Sequence, residues 1–253
     1  MKIILSPAKK MRADLDGLPP RALPQFHGRA ERLRDVLRGM SYDELKKLWK
    51  CNDQITELNV ERLRDMDLRH ALTPALFAYD GIAFQYMRPN VFTDAELSYV
   101  EEHLRIFSGF YGVLRPFDGV TPYRLEMGAK LSVDGCRDLY DYWGGALAEN
   151  VCAGADLILN LASKEYSQAI EKHLPPGVRF VTVVFGEHAG GKTVEKGTMC
   201  KMARGKMVRW MAEQSVKAPE ELAGFDCLGY CFCSEESDQT VLTFLRESKG
   251  AET

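Results

Sequence analysis

The feature that most restricts this chain is Leu157-Ile158-Leu159-Asn160-Leu161, an almost unbroken apolar run with helical spacing directly behind it over Ser163–Lys172. A strand that reads as continuously apolar is buried on both faces, as in sheets covered by helices. Lys2–Leu5, closed by Ser6-Pro7, reads as a first strand of the same kind, and Arg179–Phe185 as another. Thr198–Glu213 has helical spacing and carries positive charge, and two last strands are read at Gly229–Cys233 and Thr240–Arg246. Such alternation defines an α/β fold. No internal repeat or low-complexity linker divides the 253 residues, so one compact α/β domain with a mixed sheet and surrounding helices is expected.

The first half is helical between its strands. Arg12–Phe26 is proline-rich and reads as an extended surface loop, and Ala30–Leu37 shows helical spacing. Ser41, with Glu44 three residues on, has the capping-box pattern and opens a helix over Glu44–Lys50. After the turn at Cys51-Asn52-Asp53, Ile55, Leu58, Val60 and Leu63 mark a second amphipathic stretch. Thr93 and Glu96 cap a further helix, read to about Ile106. Ser108–Leu131, dense in glycine, proline and aromatics, reads as an ordered loop region, and Asp138–Asn150 as one helix.

With 45% hydrophobic and 27% charged residues the chain can bury a core, which excludes general disorder. The net charge of −3 means that affinity for a polyanion must come from local clustering of cations. Met1–Leu5 lacks the length of a signal h-region and no apolar run is long enough to span a membrane, so a cytoplasmic protein is expected. Seven irregularly spaced cysteines read as reduced thiols. Cys227, Cys231 and Cys233 read as packing on one face of a strand, and the five histidines lack metal-site spacing. Neither a metal nor a cofactor is expected.

Four patterns carry chemistry. Gly186–Thr193 satisfies the P-loop expression, but Lys192-Thr193-Val194 reads as a returning strand rather than a helix start, so a glycine-rich hairpin is the better account. Ser6-Pro7-Ala8-Lys9 has serine-acyltransferase spacing without the partner motifs, which leaves Lys9 projecting from a strand terminus, where α/β proteins bind ligands. Arg115, Tyr123, Arg124, Glu126 and Lys130 stand in a proline-stiffened segment. That cluster reads either as a phosphate-binding surface with Tyr123 as a stacking platform, or as an ion-pair network in which Glu126 holds Arg124 or Lys130. On the last long helix Lys201, Arg204, Lys206 and Arg209 form a basic stripe, because no acid stands between Glu195 and Glu213. Ala203 and Gly205 keep that surface low enough for backbone or ligand to approach.

Ser6–Lys9, Ser108–Pro116, Pro122–Gly128, Leu161–Tyr166 and Lys201–Gly205, in this order, resemble the YaaA peroxide stress protein family, over Met1 to about Arg246. The resemblance implies a cytosolic bacterial protein that limits hydrogen peroxide damage by lowering free iron. It also implies DNA binding, a positively charged cleft and a helix–hairpin–helix element. That element maps onto Glu44–Asp65, whose turn Lys50-Cys51-Asn52-Asp53-Gln54 lacks glycine. Two functions are therefore expected as alternatives. One is binding of double-stranded DNA without sequence preference, through Lys9, Lys50, Arg115, Tyr123, Arg124, Lys130, Lys201, Arg204 and Arg209. The other is an enzyme acting on a small phosphorylated or purine-like substrate, with Glu126 as acid or base beside Ser6 and Lys9.

Overall fold

The computed structural model describes residues 1–189 and 192–247. From the N-terminus run β1 (Lys2–Leu5), α1 (His27–Arg38), α2 (Tyr42–Trp49), α3 (Asp53–Asp65), β2 (Thr73–Pro74), α4 (Ala75–Ala78), α5 (Ile82–Met87) and α6 (Asp94–His103). Next come β3 (Leu104–Ser108), β4 (Gly112–Leu114), β5 (Gly119–Val120), α7 (Leu139–Trp143), α8 (Ala146–Cys152), β6 (Leu157–Leu161) and α9 (Lys164–Glu171). The chain continues through β7 (Arg179–Ala189), β8 (Lys192–Val194), α10 (Gly197–Gln214), β9 (Tyr230–Cys233) and β10 (Val241–Arg246). The fold is the expected α/β type with a mixed sheet.

Eight strands form one sheet in the order β4-β3-β1-β6-β7-β10-β9, with β8 hydrogen-bonded to β7, while β2 and β5 make a separate pair. β3, β1, β6, β7 and β10 run parallel, and the outer partners β4, β8 and β9 are antiparallel. The central strands explain the apolar runs: every residue of β6 is buried, and so are Ile3, Ile4 and Leu5 of β1. After β1 the chain builds outward on one side through β3, then crosses back to place β6 on the other side of β1. The order reverses between β1 and β6. In open α/β sheets this reversal leaves a crevice at the carboxyl ends of the two strands, where ligands bind.

The capping boxes at Ser41–Glu44 and Thr93–Glu96 both form. Three boundaries differ from the sequence reading. The α6 helix stops at His103 because the next residues, Leu104 to Ile106, pair with β1, so tertiary pairing overrides local spacing. Asp138–Asn150 is two helices, broken at Gly144, whose φ of +51° leaves the helical region. Ser108–Leu131 is not only loop, since it holds β4 and β5. The cysteine reading is also corrected: on edge strand β9 the buried residue is Tyr230, whereas Cys231 is exposed and Cys233 partly so. The thiols take the outer face and the aromatics the packed one.

Candidate functional site

β1 and β6 are in register with Leu5 opposite Leu161, which sets Ser6 beside Ser163 at the crevice. The Ser163 amide donates to Ser6 Oγ at 2.8 Å, and Ser6 Oγ donates to Ser163 Oγ at 3.2 Å. The Ser6 hydroxyl is thus spent on joining β1 to the start of α9. Lys9, three residues on, pairs with Glu126 instead of Ser6, so the serine-acyltransferase reading finds no geometry. Above these strand ends lies a cavity of about 370 Å³. Its wall is drawn from five distant segments, Leu5–Lys10, Asp80–Phe84, Tyr123–Glu126, Leu161–Tyr166 and the first turns of α10 with Lys201 and Arg204.

Two close approaches hold the wall in place. A Cβ on Gly205 would lie 1.8 Å from the Ala83 carbonyl oxygen, so α10 and α5 pack backbone to backbone. The low surface at Ala203 and Gly205 is therefore filled by α5, not by a ligand. A Cβ on Gly109 would lie 2.6 Å from the Leu125 carbonyl oxygen, so the segment bearing Glu126 crosses directly over the β3–β4 turn.

Glu126 sits between two cations: Oε2 lies 2.8 Å from Lys9 Nζ, and Oε1 accepts from Arg124 Nη2 at 3.2 Å. The internal ion-pair reading is right about Arg124, but Lys9 takes the place expected of Lys130, which is exposed and does not line the cavity. Arg204 Nη2 donates to Glu195 at 3.2 Å. Arg209 donates to Glu213 at 2.6 Å and also lies off the cavity, over the Phe92 ring. The stripe read as unneutralised is partly paired: Glu195, before α10, takes Arg204, and Glu213, one turn on along the same helix, takes Arg209. Lys201 and Lys206 have no ion-pair partner among the described residues. Five cations line the cavity (Lys9, Lys10, Arg124, Lys201, Arg204) against three carboxylates, Asp80, Glu126 and Glu165. Asp80 is held by Lys10 at 2.6 Å, which depresses its carboxyl below the ordinary value.

Tyr123 lines the wall but offers no stacking face. Its ring is stacked on Phe110 with centroids 5.0 Å apart, and its hydroxyl lies 2.6 Å from Ser108 Oγ and 2.9 Å from the Tyr79 hydroxyl. Ser108 Oγ already accepts the Phe110 and Tyr111 amides, so its proton points to Tyr123, and the Tyr123 proton passes on to Tyr79. Burial pushes the Tyr123 phenol up to about 12, which keeps it neutral and confines it to hydrogen bonding.

Two more expected contacts lie elsewhere. Arg115 is bound to buried Asp118 at 2.8 Å, and Lys50 is the left-handed residue (φ +48°) that ends α2. Neither lines the cavity. Around Lys50 a short turn joins α2 to α3: Asn52 caps α3 by accepting the Ile55 amide, and Lys46 pairs with Asp53 across the turn at 2.6 Å. Lys47 and Lys50 have no ion-pair partner among the described residues. The P-loop pattern falls on the antiparallel pair β7–β8, with Lys192 in a strand, while its Gly190 and Gly191 lie outside the described residues.

The sequence does not single out the Asp80–Phe84 wall, nor Ser163, Glu165 and Tyr166 as site residues. For the last three a signal exists, since they follow a buried strand just as Lys9 follows β1. The first wall has no comparable signature.

Fold and site together define an α/β protein with a charged cavity at the switch point of a largely parallel sheet. The family model described as Peroxide stress protein YaaA matches residues 1–236. A "UPF0246 protein" of Agathobacter rectalis is 51% identical over 247 residues, covering 98% of this chain and 99% of its own. Namesakes from Desulfitobacterium hafniense and Lachnoclostridium phytofermentans are 50% and 48% identical over 246 residues, covering 97% of this chain and 98% and 96% of theirs. This chain belongs to the YaaA peroxide stress protein family. No described helix is long and apolar enough to cross a membrane.

Proposed function

We propose that this protein serves the peroxide response by holding a phosphate-bearing ligand in the cavity at the β1–β6 switch point. The observation that carries the reading is the pair Arg124 and Arg204. Their side chains are only 12% and 14% exposed, and each gives one terminal nitrogen to a carboxylate. Among the described residues Nε is buried without a hydrogen-bond partner in both, and Nη1 makes no hydrogen bond in either. Two largely desolvated guanidinium groups with free donors, both lining the cavity, match the oxygens of a phosphate. Lys9 and Lys201 add charge. A cavity of about 370 Å³ is of small-molecule size and cannot enclose a duplex.

Isothermal titration with ribose 5-phosphate and inorganic phosphate at low salt tests the reading. Saturable one-to-one binding is expected, and Arg204→Ala should weaken it by ~1.5–3 kcal/mol, more than tenfold in Kd. Circular dichroism separates that loss from misfolding. Absence of binding by every phosphorylated compound would sink the proposal.

A second reading, non-specific binding of double-stranded DNA, is favoured by the α2–turn–α3 element, whose Lys47 and Lys50 have no ion-pair partner among the described residues. Anisotropy on a short duplex distinguishes the two: Lys47→Ala with Lys50→Ala should abolish a steeply salt-dependent signal if DNA is held there. Under both readings the cellular outcome we propose is a lower burden of iron-dependent oxidative damage.

A further inference from the structure

The cavity is larger than a phosphate needs, and its remaining surface has two chemical characters. Ile82 and Phe84 of α5, with Leu125 and Tyr166, present apolar surface. The start of α9 presents a donor beside an acceptor. Ser163 Oγ accepts from Ser6, so its own proton is unspent, and it does not cap its helix. Glu165 accepts the Gly128 amide on Oε1 at 2.9 Å, and its Oε2 has no partner among the described residues. Both residues line the same cavity as the two arginines.

A sugar phosphate would leave the apolar surface against water or against hydroxyl groups, both unfavourable. A phospholipid-like tail would fill it but would leave the Ser163 proton and the Glu165 carboxylate facing hydrocarbon. A nucleobase satisfies both, because its faces are apolar and its edge carries donors and acceptors side by side. Glu165 Oε2 would take an exocyclic amino group, and the Ser163 hydroxyl a ring nitrogen or carbonyl.

Building on the phosphate-binding reading above, we infer that the cavity takes a nucleoside monophosphate unit, its base between α5 and the start of α9 and its phosphate on Arg124 and Arg204. The same unit occurs as a free nucleotide and as the 5′-phosphorylated end of a nucleic-acid strand, and the test separates these sources.

The full chain is titrated calorimetrically with inorganic phosphate, ribose 5-phosphate, the four common nucleoside monophosphates, and a short single strand with and without a 5′-phosphate. At least one nucleoside monophosphate should bind tenfold or more tighter than ribose 5-phosphate. Glu165→Gln keeps the oxygen that accepts Gly128 and replaces the other with a donor. It should shift base preference away from amino-bearing bases while the ribose 5-phosphate affinity stays within twofold. A strand that binds tighter than the monophosphate only when 5′-phosphorylated identifies the strand end as the ligand; equal or weaker binding identifies the free nucleotide. If ribose 5-phosphate binds as tightly as every nucleotide, the base inference is overturned while the phosphate reading stands. If no phosphorylated compound binds, both are overturned.

Discussion

A methyl group at position 205 has nowhere to go. The atom it would meet is the Ala83 carbonyl oxygen, part of a backbone that can withdraw only by moving the whole of α5. Gly205→Ala should therefore destabilise the fold by the cost of overpacking, ~1–3 kcal/mol or more. It should also disturb the wall on which Ile82 and Phe84 are displayed. Gly197, the first residue of α10, has open space where an alanine methyl would stand and serves as the control. Gly197→Ala should be neutral or slightly stabilising, since alanine has the better helix propensity. Urea denaturation of both variants checks this pair. An unchanged midpoint for Gly205→Ala would mean that α5 yields more easily than its packing implies.

At the scale of elements, β7 and β10 are joined by more than their ladder. Glu187 of β7 is a buried carboxylate whose side chain is 2% exposed; it takes Lys196 at 2.6 Å and Arg246 of β10 at 3.1 Å. The Lys196 hydrogen bond, followed by that of Arg246, holds its carboxyl below the ordinary glutamate value of 4.5. A depressed folded-state value stabilises the protein above 4.5 and the benefit fades as pH falls through the lowered value. Thermal melts between neutral pH and the acid range should show the wild type losing stability on that limb. Glu187→Gln should start lower at neutral pH and decline less steeply. Parallel wild-type and variant profiles would show that the ion pairs contribute nothing to acid sensitivity.

Elements are also where the sequence is most and least legible. Ser41 and Thr93 announce their helices because a capping box is complete within four residues. Leu157–Leu161 announces a central strand because double-sided burial leaves no polar face. The end of α6 is hidden from the sequence because its last turn competes with pairing to β1, a partner about a hundred residues away. The site is half legible for the same reason. Lys9, Arg124, Glu126, Lys201 and Arg204 sit in motifs whose composition is unusual in itself. Glu195 reaches Arg204 only because the chain folds it onto α10, and Ile82 and Phe84 form a wall only because Gly205 admits Ala83.

Across the whole molecule, the two lysine-bearing motifs make opposite forecasts. Lys192 is exposed in β8, and the neighbouring Thr193 hydroxyl donates to Glu236 at 2.5 Å, so that hairpin is engaged with the surface beyond β9. Lys192→Ala should leave ribose 5-phosphate affinity unchanged and alter stability by no more than about 0.5 kcal/mol. A calorimetric titration in which Lys192→Ala abolishes binding while Arg204→Ala preserves it would transfer the site to the β7–β8 hairpin.

The cavity draws on Ser6 near one end of the chain and Arg204 near the other, with three further stretches between them. If the cavity holds the proposed ligand, no nascent chain could bind it until α10 has left the ribosome and docked on α5. Any protease cut between Lys10 and Lys201 divides the lining between two fragments. On the phosphate-binding proposal, ligand occupancy would report that all five segments have come together, which would make binding an assay of whether the lining is assembled.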